Sequence, residues 1–242
     1  MRVAAFQRSP IIHDEVAAGD WLARDLLWAD AHGVELAMFP ECCFGGHSYE
    51  EATIGERAMS RVSPKWRTLL SLLKPFSTAA IIGAFERQET SITNSAMLIE
   101  GGRIIGRYAK AHPNEPGVAA GVDFPVFTRA GVRFGINICN DANYPDAAQR
   151  LAVQGADLIC YPLNNLLSRS KATLWRTRSV ENLIARAMQT RCWVMSADVA
   201  GEVDGKVSYG CTTIISPQGQ IVARAAELAE GVAVFDLPSR SA

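Results

Sequence analysis

Three features of the sequence predict an α/β chain, a mixed β-sheet covered by helices. Segments such as "VELAMFPE" and "ADLICYP" are apolar throughout, as strands buried on both faces are. Other strand-length runs come in pairs about turn residues, as antiparallel hairpins do. Longer segments with apolar residues at helical spacing alternate with these runs.

Taken in order, "RVAAFQ" (2–7) reads as a strand. "EVAAGDWLARDLLWADAHG" (15–33) reads as a helix ending at Gly33, a natural residue just past a helix end. "VELAMFPE" (34–41) is a buried strand stopped by Pro40. A helix over 63–76, with Pro64 in its first turn, leads to the strand "AAIIGAFERQ" (79–88). "TNSAMLIEGGRIIGRYAKA" is a hairpin about Gly101 and Gly102. "GVRFGINIC" (131–139), a helix after Pro145 and "ADLICYP" (156–162) form a β-α-β unit. A helix near 173–190, a strand over 192–201, a hairpin about Pro217 to Gly219 and the closing strand "GVAVFDL" complete the series. No Pro/Gly/Ser-rich linker divides the chain, so it reads as one domain, 1–242.

A hydrophobic content of 48% supports a sizeable core. With 24 basic against 25 acidic residues, nothing marks a nucleic-acid face or an anionic membrane surface. No apolar run approaches the about 20 residues that span a bilayer. "MRVAAFQRSPIIHDE" meets charge too soon for a signal peptide, so a cytoplasmic location is expected. Of the six cysteines, four lie in or beside apolar runs, where free thiols pack as small hydrophobes. No Cys-X-X-Cys pair exists and the four histidines are scattered, which argues against structural zinc.

The stretch "RFGINICNDANYPD" runs an apolar strand into Cys139, turns, and starts a helix at Pro145. Two readings of Cys139 stand at this point, a packed structural thiol and a nucleophile displayed at a strand-to-helix turn. A nucleophilic thiol needs a proton acceptor and a group that stabilises an oxyanion. Glu41, just beyond "AMFP", and Lys110, just beyond "RIIGRY", each follow an apolar strand. Each alone reads equally as a solvated charge at a strand end.

Together and in this order, "LAMFPE", "GRYAKAH" and "GINICNDANYPD" resemble the nitrilase superfamily of carbon–nitrogen hydrolases. The resemblance extends over nearly the whole chain, through "AAFQ", "IIGAFE", "TNSAMLI", "LAVQGADLICYP", "YGCTTIISPQGQIV" and "VFDL". It implies a four-layer α-β-β-α sandwich with two mixed sheets and a catalytic trio of Glu41, Lys110 and Cys139. In that scheme Glu41 is the base, Cys139 forms a thioester-type intermediate, and Lys110 with the backbone N–H of Asn140 stabilises the oxyanion. No metal or organic cofactor is implied. Glu115, in "KAHPNEPG", matches a second glutamate that positions the lysine or the substrate. Asn164 and Asn165 fall where the family places substrate contacts, and His47 stands where it often has tyrosine; a surface-loop histidine is the other reading there.

Some positions depart from the family pattern. The Lys110–Cys139 segment is short and its "EPGVAAG" stretch lacks aromatic residues, Gln189 and Thr190 replace an acid and an amide, and Cys211 replaces a serine. Asp141, two residues after Cys139, favours the amidase and carbamoylase branches. The expected activity is therefore hydrolysis of a small linear amide, such as an ω-amide of a dicarboxylic acid, or of an N-carbamoyl compound. The alternatives are direct nitrile hydrolysis and, from another class, a catalytically silent binding protein. Arg176 and Arg178 are candidates for binding an anionic substrate, or members of a solvated helix face. Pairing of two sandwiches into a homodimer or higher homo-oligomer is also implied.

Overall fold

The structure, a computed structural model, describes residues 1–10 and 14–238. The first half of the chain contains β1 (Arg2–Gln7), α1 (Glu15–Ala31), β2 (Leu36–Met38), α2 (Glu51–Arg57), α3 (Pro64–Leu73), β3 (Ala79–Arg87), β4 (Ile92–Glu100) and β5 (Arg103–Ala109). The next elements are β6 (Val126–Arg129), β7 (Val132–Ile136), α4 (Pro145–Val153), β8 (Leu158–Pro162), β9 (Leu167–Ser168) and α5 (Arg169–Thr190). The last are β10 (Trp193–Ala197), β11 (Gly201–Val203), β12 (Lys206–Ser208), β13 (Thr213–Ile215), β14 (Ile221–Arg224) and β15 (Gly231–Asp236).

Two six-stranded mixed sheets form, in the orders β15-β1-β2-β3-β4-β5 and β14-β13-β10-β8-β7-β6. Their centres are parallel, β1 with β2 and β3 in one and β7 with β8 and β10 in the other. The flanks are antiparallel. Side chains alternate between strand faces, and this alternation sorts them into layers. Val3, Ala5, Leu36 and Met38 point into a core shared with Phe134, Ile136, Leu158 and Cys160 of the other sheet. One residue out of phase, Ala4 and Phe6 meet Leu22 and Leu26 of α1 and Trp66 and Leu69 of α3. Ile159 and Tyr161 meet Leu151 of α4 and Leu183 and Ala187 of α5. Both strand faces are buried, which is why these strands are apolar throughout. The layers run α-β-β-α, as the resemblance implied.

Local chemistry sets the element ends. Asp14 caps α1 by accepting from Ala17 N at 2.8 Å. That helix ends at Ala31, ahead of Gly33 in the left-handed region at φ 66°. α3 starts behind Ser63, whose hydroxyl accepts from Trp66 N, and stops at Leu73 rather than at 76. The cause is Pro75, which has no N–H to continue the helical hydrogen bonds, although Lys74 before it still keeps helical backbone angles. The strand expected over 34–41 is regular only at Leu36–Met38, because the chain turns at Pro40. The strand expected over 192–201 is Trp193–Ala197, and α5 begins four residues before 173. Pattern reading also passed over α2, β6 and the small sheet β11-β12-β9. The strands of that sheet are only two or three residues long, too short to show a period.

Candidate active site

The carboxyl ends of β2, β5 and β8, together with the turn after β7, converge at one end of the sandwich, where ligand sites of parallel sheets form. From β2 the chain passes Pro40 to Glu41, whose N–H donates to Leu163 O just past β8, at 3.0 Å, and joins the two sheets. Cys42 follows in the left-handed region at φ 48°. A Cβ on Gly83 of β3 would lie 2.8 Å from Cys42 N, so only glycine lets β3 pass this close beneath the turn.

β5 delivers Lys110, which is fully buried. Its ammonium donates to Glu41 Oε1 at 2.8 Å and to Glu115 Oε1 at 2.7 Å, with a longer contact to Asn114 Oδ1 at 3.4 Å. Asn94 of β4 binds the same two oxygens from its Nδ2, at 2.7 and 2.8 Å. Carboxylates only accept, so the amide nitrogen faces them, and Asn94 Oδ1 in turn accepts from the Cys42 thiol at 3.4 Å. His47 Nε2 donates to Glu115 Oε1 at 3.0 Å. Burial alone would lower the Lys110 pKa, but the charges of Glu41 and Glu115 override it and hold the ammonium well above the ordinary lysine value. For Glu115 burial raises the carboxyl, but the His47 hydrogen bond and the Lys110 charge override it and keep it well below the usual carboxylate range. Glu41 Oε2, by contrast, is buried and makes no hydrogen bond among the described residues.

β7 ends at Ile136, and a 3-10 turn spans Cys139–Asn143 before α4 begins at Pro145. Cys139 takes φ 42°, a left-handed conformation that a non-glycine residue rarely adopts and that is common at functional turns. Asp141 pins this turn. Its carboxylate accepts from Ile138 N, Tyr108 Oη and His112 N, each at 2.8 Å, and from His112 Nδ1 at 3.1 Å. The Tyr and His of "YAKAH" therefore flank Lys110 in order to hold the cysteine turn. A chain of side-chain amides continues outward, from Asn182 of α5 to Asn143 at 2.5 Å, to Asn140 at 2.8 Å, and to His112 O at 2.8 Å. Burial first, then the Glu41 charge, pushes the Cys139 thiol well above the ordinary cysteine value, against lowering by Lys110 and the Asn164 backbone N–H. The resting sulfur is a thiol.

Two cavities meet at this cluster, and Tyr49, Asn164, Leu166 and Lys206 border both. The smaller, about 340 Å³, is lined by Glu41 and His47; the larger, about 720 Å³, by Cys139, Asn140, Asn164 and Asn165. Volumes in this range suit small ligands. Glu41, His47 and Glu115 are the residues that could hold a metal ion, with ligand atoms within 4.8 Å of one another. The Lys110 ammonium already bonds to both of these carboxylates.

Glu41, Lys110, Glu115 and His47 thus form one hydrogen-bonded cluster, and Cys139, Asn140, Asn164 and Asn165 line the adjoining cavity. Asn165 is committed elsewhere, since its N–H and Nδ2 both donate to the buried Asp198, at 3.0 and 2.7 Å. Gln189 reaches the Pro145 carbonyl at 2.9 Å and lines neither cavity, so its exchange bears on the start of α4 and not on substrate. Arg176 pairs with Glu227 outside the cavities, and Arg178 lines neither of them. Cys211 is buried, and none of the six cysteines is in a disulfide. Sequence reasoning missed Asn94 and Tyr49. The buried amide within "TNSAM" was the available signal for Asn94, because a polar residue in an apolar strand needs partners.

Among curated proteins, a nitrilase of Pyrococcus abyssi is 27% identical over 86% of this chain and 79% of its own length. An N-carbamoylputrescine amidase of Arabidopsis thaliana is 27% identical over 96% of this chain and 84% of its own. Among solved structures, an amidase from Nesterenkonia sp. superposes with a TM-score of 0.86 at 21% identity, covering 99% of this chain and 90% of that one. The carbon–nitrogen hydrolase family model matches residues 2–242, and on that match the chain belongs to this family, the carbon–nitrogen hydrolases of the nitrilase superfamily.

Proposed function

We propose that the protein hydrolyses a small linear amide or N-carbamoyl compound through a thioester on Cys139. The observation that carries this reading is the unpartnered, buried Glu41 Oε2, on a carboxylate whose charge acts on the Cys139 thiol. A thiol held in its neutral form needs such a base at the moment of attack. Glu41 takes the proton as Sγ bonds to the carbonyl carbon. The electron pair moves onto the carbonyl oxygen, where two donors receive it. One is the third proton of Lys110, which has only the 3.4 Å contact to Asn114. The other is the N–H of Asn140, which has no partner within the turn because it lies at its start. Collapse breaks the C–N bond, and the amine leaves with the proton from Glu41. Water, deprotonated by Glu41, then cleaves the thioester to the carboxylic acid and returns the thiol.

This reading includes self-association of the enzyme and a cytoplasmic setting, the latter supported by six cysteines without a disulfide. No helix among the described residues is long and apolar enough to cross a membrane. The test is a panel assay for ammonia release from amides, carbamoyl compounds and nitriles. Cys139→Ala is expected to lose about a thousandfold or more of the activity, and Glu41→Gln about a hundredfold or more. Mass spectrometry of the wild type with a slow substrate should show an acyl adduct on Cys139. Unchanged turnover in Cys139→Ala overturns the mechanism, and turnover of nitriles alone moves the reading to a nitrilase. Sedimentation showing only monomer at micromolar concentration counts against self-association.

A further inference from the structure

A buried carboxylate holds one wall of the nucleophile's cavity from behind. β8 ends at Pro162, and each of the next three residues serves the site. Leu163 O accepts from Glu41 N at 3.0 Å, the Asn164 backbone N–H favours the ionised form of the Cys139 thiol, and Asn165 lines the larger cavity. The sheet secures the near end of this segment, where Leu163 N donates to Ala197 O at 2.8 Å. A side chain secures the far end. Asp198, the residue after β10, is fully buried and lines neither of the two cavities. It accepts from Asn165 N at 3.0 Å, from Asn165 Nδ2 at 2.7 Å and from Val199 N at 2.9 Å. Its own N–H donates to Thr212 Oγ1 at 2.9 Å, just before β13. Burying a carboxylate is costly, and burial raises its pKa to about 7 against these hydrogen bonds. The Glu41 charge adds to that rise, which sets Asp198 within electrostatic reach of the charge cluster.

We propose that Asp198 is a positioning residue for the nucleophile. By clamping Asn165 it keeps the Asn164 N–H directed at the Cys139 sulfur and the Leu163 carbonyl on the Glu41 backbone. The inference rests on the reading of Cys139 as nucleophile and adds to it a residue outside both cavities. A hydrogen bond weakens steeply as its donor swings out of line, and small displacements of reacting groups cost rate rather than binding. A carboxylate suits this post because both of its oxygens accept, and Asn165 presents two donors, its N–H and its Nδ2. The Asn165 side chain therefore serves Asp198 and not the substrate, although it borders the cavity.

Exchanging the two side chains tests the clamp. Asn165→Asp sets a second carboxylate against Asp198, and Asn165→Asp/Asp198→Asn restores a donor facing an acceptor. The assays run at about pH 9, above the value of about 7 for Asp198, so that its carboxylate is ionised. Asn165→Asp is expected to lower kcat about tenfold or more and to change KM by less than about threefold. Iodoacetamide labelling of Cys139, followed by mass spectrometry, should slow by a similar factor. The double exchange should return both rates to within about threefold of wild type. A charge effect alone would persist there, because the carboxylate at 165 remains. Asn165→Ala removes the side-chain donor without adding charge, at a residue only partly buried, and should slow both rates about fivefold. Wild-type kcat and labelling in either single variant overturn the inference, as does a double exchange no better than Asn165→Asp. A loss carried by KM overturns it too and puts Asn165 on the substrate. Labelling needs no substrate, so it decides the clamp even if the amide panel finds no turnover and sinks the amidase reading.

Discussion

Asn94 sits at the centre of the charge cluster without carrying a charge. Its Nδ2 uses both hydrogens on Glu41 Oε1 and Glu115 Oε1, and the Cys42 thiol holds its oxygen the other way. It thereby fixes the carboxylate that faces Cys139 and the one that steadies Lys110. Asn94→Ala is expected to lower kcat about 10- to 100-fold and to change KM by less than about threefold, because reacting groups shift while the substrate cavity does not. Asn94→Asp should be worse, since a third carboxylate would repel the other two. Steady-state kinetics on folded variants decides this. A KM effect with kcat intact would place Asn94 on the substrate instead. Cys42 belongs to the same scale. Its buried thiol, pushed well above the ordinary cysteine value first by burial and then by Glu41 and Glu115, donates to Asn94 Oδ1.

At the scale of elements, the strand-to-helix turn is the unit that matters. Four donors from three residues meet on Asp141, and they place Cys139 in a conformation that the backbone alone would disfavour. Removing that carboxylate leaves buried donors unsatisfied. Asp141→Ala should destabilise the protein by about 3 kcal/mol or more, with Asp141→Asn between it and wild type. Urea unfolding measures the loss, and iodoacetamide labelling of Cys139 below the denaturation midpoint reports whether the turn has moved. A stable Asp141→Ala variant with unchanged labelling would refute the pinning role. The same geometry gives Asp141 a supporting role that is independent of the substrate's bond type. Substrate discrimination therefore belongs to the cavity walls, on β9, α5 and β12.

Across the whole molecule, two buried carboxylates push stability in opposite directions with pH. Asp198 is raised from 3.8 to about 7, by burial against its hydrogen bonds, so the folded state holds its proton more tightly than the unfolded chain does. Its contribution is fully present below about 4 and is lost as pH rises towards 7. Glu115 is depressed below 4.5, so its contribution is present above that value and is lost as pH falls further. Between about pH 4 and pH 7, Asp198 should therefore make the wild type less stable as pH rises, by up to a few kcal/mol. Calorimetric melting across that range should show a smaller decline in Asp198→Asn. Equal slopes in the two proteins would show that Asp198 is not held protonated.

Much of this was readable before any coordinates, for reasons that differ by position. Strands buried on both faces must be apolar along their length, so the order of the elements and the turns at Gly33 and at Gly101 and Gly102 could be read from the residues themselves. Glu41, Lys110 and Cys139 became candidates because each follows an apolar strand, and the resemblance of their three motifs, taken together and in order, singled them out. The motifs could not reveal why "YAKAH" carries its Tyr and His, because Asp141 lies about thirty residues further along the chain. Nor could they reveal that Asn94 bridges two carboxylates, or that Arg176 is tied to Glu227 and Asn165 to Asp198. Local periodicity and turn chemistry act over a few residues and can be read along the chain. Partners in a buried polar network, and charges facing one cavity, come from strands distant in sequence, and only tertiary packing decides which of them meet.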